Sequence, residues 1–115
     1  MLRTGKDYVD ALGARGGEIY LGGERVANPA THAAFRNAAR TVASMYDTTS
    51  APENQAALTY RDPETGERCN SIFLLPRSKA DLDARNRVHE AWAKCSWGLF
   101  GRSPDHVAGW IAGIA

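Results

Sequence analysis

Ser78-Lys79-Ala80-Asp81-Leu82-Asp83-Ala84-Arg85-Asn86-Arg87-Val88-His89-Glu90-Ala91-Trp92-Ala93-Lys94-Cys95 is the stretch on which the fold turns. A serine followed three residues later by an aspartate is a helix-start signal. The hydroxyl accepts a free N–H of the first turn, and the carboxylate suits the positive end of the helix dipole. Leu82, Arg85, Val88, Trp92 and Cys95 then recur three and four apart, with Ala84, Ala91 and Leu99 widening the apolar side. The spacing predicts one long amphipathic helix. His89 falls beside its apolar face, where a core-edge or solvated imidazole is commoner than a ligand. Cys95 sits on the stripe and reads as a buried thiol.

Downstream, Gly98 and Gly101 loosen the end of that helix, and Ser103-Pro104-Asp105 starts another. Serine at the N-cap, proline at the first helical position and an acid next form a strong start signal. Val107, Trp110, Ile111 and Ile114 continue it as an apolar stripe, and Gly109 and Gly113 suit a close helix crossing. The stripe is still running at Ala115, so the chain is expected to be part of a longer polypeptide.

Upstream, Pro76 ends a hairpin predicted over Ala57 to Arg61 and Arg68 to Leu75, turned by Asp62-Pro63-Glu64-Thr65-Gly66. Its run Ile72-Phe73-Leu74-Leu75 is continuously apolar and is expected to lie under other structure. Thr48 to Asn54, with Pro52, reads as loop. A helix is predicted from Thr31 to Tyr46-Asp47 on Ala34, Phe35, Ala38, Ala39, Val42 and Met45. Glu18 to Val26 reads as a tight hairpin around Gly22-Gly23. Thr4, with Asp7 three residues on, caps a short helix to Leu12. The fold class is therefore mainly α with two β-hairpins (α+β), one domain over residues 1–115.

Composition narrows the function. With 43% hydrophobic and 23% charged residues among 115, the chain has ordinary globular usage. Its formal net charge of +1 gives no field for nucleic acid or anionic lipid. No apolar run reaches the ~20 residues of a membrane span, and the first residues lack a signal-peptide core. A cytoplasmic protein is expected. Cys69 and Cys95 stand far apart, and no Cys/His cluster has metal-ligand spacing.

From residue types alone, one place could hold chemistry. Arg102 precedes the Ser103-Pro104-Asp105 helix start, and His106 lies four residues after it. Free N–H groups, the helix dipole and a guanidinium together suit a phenolate, carboxylate or peroxide oxygen. An ordinary capped helix beside a surface arginine explains the same residues, and Asp105 could itself fill the helix end. Ser103, Asp105 and His106 are too crowded for a hydrolase triad, and no G-x-S-x-G elbow surrounds the serine. The Gly22-Gly23 pair is a turn and no phosphate loop, because G-x-G-x-x-G is absent.

Several short segments share a family likeness. Met1-Leu2-Arg3-Thr4-Gly5 with Tyr8, Tyr20-Leu21-x-Gly23-Glu24-Arg25-Val26 and Thr31-His32-x-Ala34-Phe35-Arg36-Asn37-Ala38-Ala39-Arg40 lead the series. Leu58-Thr59-Tyr60, Thr65-Gly66-Glu67-Arg68 and Phe73-Leu74-x-Pro76-Arg77-Ser78 with Asp81-Leu82 continue it, and Gly101-Arg102-Ser103-Pro104-Asp105 closes it. In order and over nearly the whole chain, these resemble the 4-hydroxyphenylacetate 3-monooxygenase large-component family. The resemblance implies the N-terminal domain of an acyl-CoA-dehydrogenase-like flavoenzyme.

It also implies chemistry. Such hydroxylases take reduced FAD from a separate NADH-dependent flavin reductase and react it with O2. The flavin C4a-hydroperoxide so formed transfers hydroxyl to a phenolic substrate, ortho to its own hydroxyl. By position, Arg102 matches the family arginine that holds the phenol oxygen. Ser103 and His106 accompany it as substrate-binding residues, with Arg102 and His106 in the catalytic role. The family pattern has tyrosine where His106 stands, which puts the identity of the phenol in question. Most flavin contacts of the family fall beyond Ala115, so no cofactor-binding residue is assigned, and no metal is implied. The resemblance further implies a homo-oligomer for the full-length protein and an inactive fragment in isolation. Two alternatives stay open: a non-catalytic remnant or assembly module, and a fragment of the 4-hydroxybutyryl-CoA dehydratase branch, which combines FAD with an iron–sulfur cluster.

Overall fold

Thr4 starts the first helix with both halves of a capping box: its Oγ1 accepts the Asp7 N–H at 3.2 Å, and Asp7 Oδ2 accepts the Thr4 N–H at 2.9 Å. The computed structural model describes residues 2–98 and 104–114; within the latter, the side chains described are those of Val107, Trp110, Ile111 and Ile114. The helices are α1 (Gly5–Ala14), α2 (Arg36–Ser50), α3 (Gln55–Leu58), α4 (Lys79–Ser96) and α5 (Pro104–Ile114). Strands β1 (Tyr20–Leu21) and β2 (Glu24–Arg25) pair antiparallel, as do β3 (Thr59–Arg61) and β4 (Arg68–Asn70). A 3₁₀ turn, Ser71–Phe73, follows β4. The chain is thus mainly α with two small antiparallel hairpins.

Local signals set most of these elements. Gly22 and Gly23 take φ of 58° and 87°, the left-handed values a two-residue hairpin turn demands, and Tyr20 pairs with Arg25 across it. Ser78 caps α4 by accepting the Asp81 N–H at 3.2 Å. At its far end Trp97 turns left-handed at φ 54°, while Gly98 N–H reaches Ala93 O and Trp97 N–H reaches Lys94 O. These are the two bonds of a Schellman ending.

Four boundaries differ from the sequence expectation. The α2 helix begins at Arg36 instead of Thr31, because residues before it are held in turns by side chains: Asn28 Oδ1 accepts the Ala30 N–H and His32 Nδ1 the Ala34 N–H. It runs on through Thr48–Ser50, which were expected as loop, because both threonines meet α4. Thr48 Oγ1 lies 3.1 Å from Cys95 Sγ, and Thr49 Oγ1 accepts Trp92 Nε1–H at 3.0 Å. Ala57 and Leu58, where strand was expected, lie in a helical turn, Gln55–Leu58. The run Ile72-Phe73-Leu74-Leu75 is no strand: Asn70 Oδ1 accepts the Ile72 N–H at 2.9 Å and bends the chain into the 3₁₀ turn. Only Ile72 of that run is fully buried, and Phe73 and Leu75 are exposed.

The residues divide into two compact units, Arg3–Asp47 and Met1–Leu2 with Thr48–Ala115. In the first, Val26, Ala39 and Met45 are buried. In the second, Leu58, Ile72, Val88 and Trp92 form the apolar core, and the polar Thr49, Asn70, Ser71 and Ser96 are buried with them. Both α3 and the 3₁₀ turn pack on α4, and α5 packs on the same turn. Leu82, expected on the apolar face of α4, is exposed, whereas Val88 and Trp92 are buried as expected.

Candidate functional site

Proline at position 104 opens α5, as its fixed φ and missing N–H suit the first helical position. His106 falls in the first turn of that helix, where backbone N–H groups lack intrahelical partners. Arg102 and Ser103, and the side chain of His106, lie outside the described residues. The helix α5 itself rests on the turn Ser71–Phe73, which rests in turn on α4 as a platform.

That platform carries two residues to which sequence reasoning gave no functional weight. Arg85 Nε and His89 Nε2, both on α4, are buried without a hydrogen-bond partner. The Arg85 guanidinium reaches α5, since a Cβ placed on Gly109 would stand 3.4 Å from its Nη2. The sequence showed Arg85 as one position in a helical stripe and His89 as an imidazole at its edge. The approach of Arg85 to Gly109, 24 positions on, is one that no local pattern encodes. Cys95, expected buried, is half-buried, and both Cys69 and Cys95 are free thiols.

Two adjoining pockets lie within the Arg3–Asp47 unit. One, of about 220 Å³, is lined by Tyr8, Leu12, Pro29, Phe35 and Val42 among others, and is almost wholly hydrocarbon. Tyr8 stacks on Tyr46 with ring centroids 5.4 Å apart, and burial followed by that neighbour raises its phenol above the usual tyrosine value. The second, of about 310 Å³, is edged by Arg15, Gly16, Gly17 and Glu18. Sites for drug-sized molecules span about 300–1,000 Å³, and FAD is larger than such ligands. The first pocket offers the Tyr8 hydroxyl as its one side-chain donor, too little for a pyrophosphate, and the second is edged by a glutamate as well as an arginine. The described residues therefore do not by themselves fit a whole FAD. Among them, no three His, Cys, Asp or Glu side chains come together as a metal site, and no helix is long and apolar enough to cross a membrane.

Comparison with known proteins places the fold. The oxygenase component of 4-hydroxyphenylacetate 3-monooxygenase from Thermus thermophilus is 40% identical over 107 residues, which is 93% of this chain and 22% of that protein. Crystal structures of a 4-hydroxyphenylacetate 3-monooxygenase oxygenase component, with FAD and with FAD plus 4-hydroxyphenylacetate, match at TM-score 0.83 and 39% identity, covering 91% of this chain and 22% of theirs. An archaeal 4-hydroxybutyryl-CoA dehydratase from N. maritimus matches at TM-score 0.69 and 29% identity, over 82% of this chain and 18% of its own. The chain thus spans about a fifth of the length of the relatives it matches, and its fold is that of the N-terminal part of an acyl-CoA-dehydrogenase-like enzyme. The family described as 4-hydroxyphenylacetate 3-hydroxylase N terminal matches residues 4–115, and the chain belongs to it.

Proposed function

We propose that this chain is the N-terminal domain of the oxygenase component of a two-component, FADH2-dependent monooxygenase, and that it is inactive alone. The reaction is hydroxylation of a phenol ortho to its hydroxyl. One atom of O2 enters the ring and the other leaves as water, with two electrons from reduced FAD. The observation that carries this reading is the family match over residues 4–115, joined to a fold shared with an oxygenase solved with both FAD and 4-hydroxyphenylacetate bound. The flavin supplies the oxygen activation. A separate NADH-dependent flavin reductase delivers it, and the working enzyme is a cytoplasmic homo-oligomer.

On this reading the chain's own contribution is to hold the phenol. Arg102 sets a permanent positive charge at the start of α5, where the helix dipole has the same sign, and favours the phenolate form of the substrate. His106, within the first turn of the helix, offers a second donor to the phenol oxygen or its neighbour. Ser103 supplies a hydroxyl at the same helix end. Fixing the ring this way shortens the search for a productive geometry, which is where orientation lowers a barrier.

Two measurements test the proposal. In the complete enzyme carrying this domain, Arg102→Ala is expected to lower the yield of catechol per flavin oxidised and to raise hydrogen peroxide release. Unchanged coupling removes Arg102 from the role. The chain alone, mixed with FADH2, O2 and a panel of phenols, is expected to form no catechol, and catechol formation would show it to be an enzyme in its own right.

A further inference from the structure

Arg85 Nε and His89 Nε2 are the buried side-chain polar atoms left without a partner among the described residues. A spacing of four places both on one face of α4. None of the ion pairs among the described residues involves either side chain. Leaving a buried donor unmet costs about 1–3 kcal/mol, and more where the group is charged. Buried polar groups in native proteins are overwhelmingly satisfied, so two unmet atoms on adjacent turns of one helix mark a place where an acceptor belongs.

We propose that Arg85 and His89 form a receptor for a single carboxylate, one oxygen meeting Arg85 Nε–H and the other meeting His89 Nε2–H. The chemistry selects this group. Guanidinium is a permanent cation with a planar edge matched to a carboxylate, and charge-assisted bonds of this kind are roughly twice as strong as neutral ones. A carboxylate brings two oxygens, one for Arg85 Nε–H and one for His89 Nε2 in the form that carries its proton there, whereas a phosphate brings further oxygens. Both side chains are only partly buried, so a rotamer change opens them to a group arriving from outside. Such a change is felt by α5, because the guanidinium lies against Gly109. The carboxylate comes from a free organic acid or from an aspartate or glutamate side chain. This receptor does not depend on the hydroxylase reading above.

The test is a titration of the ¹⁵N-labelled chain followed at the Arg85 Nε–H and the His89 ring nitrogens. Sodium acetate stands for a free acid, and N-acetyl-glutamate α-methylamide for a protein side chain. Chloride and phosphate at matched ionic strength are the controls. Saturable shifts at both residues with either carboxylate are expected, weakened at least tenfold in Arg85→Gln and in His89→Gln. Tighter binding of acetate assigns a free acid, and tighter binding of the mimic assigns a protein carboxylate. Three results would overturn the receptor: no saturable shift in the unmodified chain, an equal response to chloride or phosphate, or full binding retained in Arg85→Gln. The unmodified chain decides the matter even if a variant fails to fold.

Discussion

The Gly5 amide donates to Asp47 Oδ1 at 2.7 Å, fastening the start of α1 to a carboxylate on α2. The bond works because α1 presents free N–H groups and partial positive charge at just that end. It also requires glycine. A Cβ on Gly5 would stand 2.5 Å from both Ala43 O and Asp47 Oδ2, closer than real side chains approach. Sequence showed Thr4 and Asp7 as the helix cap, but the partner that holds the capped end lies 42 residues away.

Gly5→Ala is therefore expected to destabilise the fold by roughly 1–3 kcal/mol, the usual range for overpacking. This is opposite in sign to the normal effect of replacing a helical glycine by alanine. Part of the loss should persist in an Asp47→Ala background, because the Ala43 carbonyl remains in the way. Urea midpoints of the two single variants and the double variant measure it. A Gly5→Ala midpoint at or above that of the unmodified chain contradicts the close approach.

The buried bond from Trp92 Nε1–H to Thr49 Oγ1, at 3.0 Å, ties the end of α2 to α4. Thr49→Val keeps the shape and removes the acceptor, so a loss of about 1–3 kcal/mol is expected. Trp92→Phe should cost more, since it also leaves a void where the buried indole stood. In the double variant the combined loss should fall short of the sum, because the bond can be lost only once. Strict additivity in a urea double-mutant cycle would show that the two side chains are not coupled.

Where sequence and structure agree, the determinant is local. The Thr4–Asp7 and Ser78–Asp81 caps, the Gly22-Gly23 turn and Pro104 at the head of α5 each act within a few residues, so their pattern is visible in the chain itself. Where the reading fell short, a distant partner decided. Thr48 and Thr49 stay helical because of Cys95 and Trp92, more than forty positions on. Asn70 turns an apolar run away from strand with one side-chain bond, and α3 starts at Gln55 after an N-cap, Asn54, whose side chain makes no capping bond. The candidate site divides in the same way. Arg102, Ser103 and His106 were picked out by family likeness and a helix-start pattern. Arg85 and His89 stand out only once packing has buried their nitrogens.

The Asp81 carboxylate accepts the Arg77 N–H and the Ser78 hydroxyl, each at 2.9 Å, and these bonds, the first the larger, hold it below the ordinary aspartate value of 3.8. A carboxyl depressed in the folded state stabilises the fold above its unfolded value, and that contribution is lost as pH falls through the folded value. Asp81→Asn should thus be less stable than the unmodified chain at neutral pH, with the gap closing as pH drops below 3.8. Thermal melts of both proteins across this range measure the gap. A gap that stays constant with pH would mean that ionised Asp81 does not support α4.

The last helix leaves an apolar surface open. Val107, Trp110, Ile111 and Ile114 are 57%, 67%, 56% and 81% exposed, all on the 11-residue α5. Contiguous apolar surface of this kind drives association in water. Covering two isoleucines that are already half or more exposed releases on the order of 2 kcal/mol, which corresponds to more than tenfold in an association constant. The isolated chain should therefore self-associate with rising concentration. Ile111→Lys with Ile114→Lys should raise the concentration at which this begins by roughly tenfold, without shifting the urea midpoint, because neither side chain is in the core. Sedimentation velocity over a concentration series compares the two. A chain that sediments as a single monomeric species throughout, or a double variant that associates just as readily, would show that the α5 face is not what drives contact.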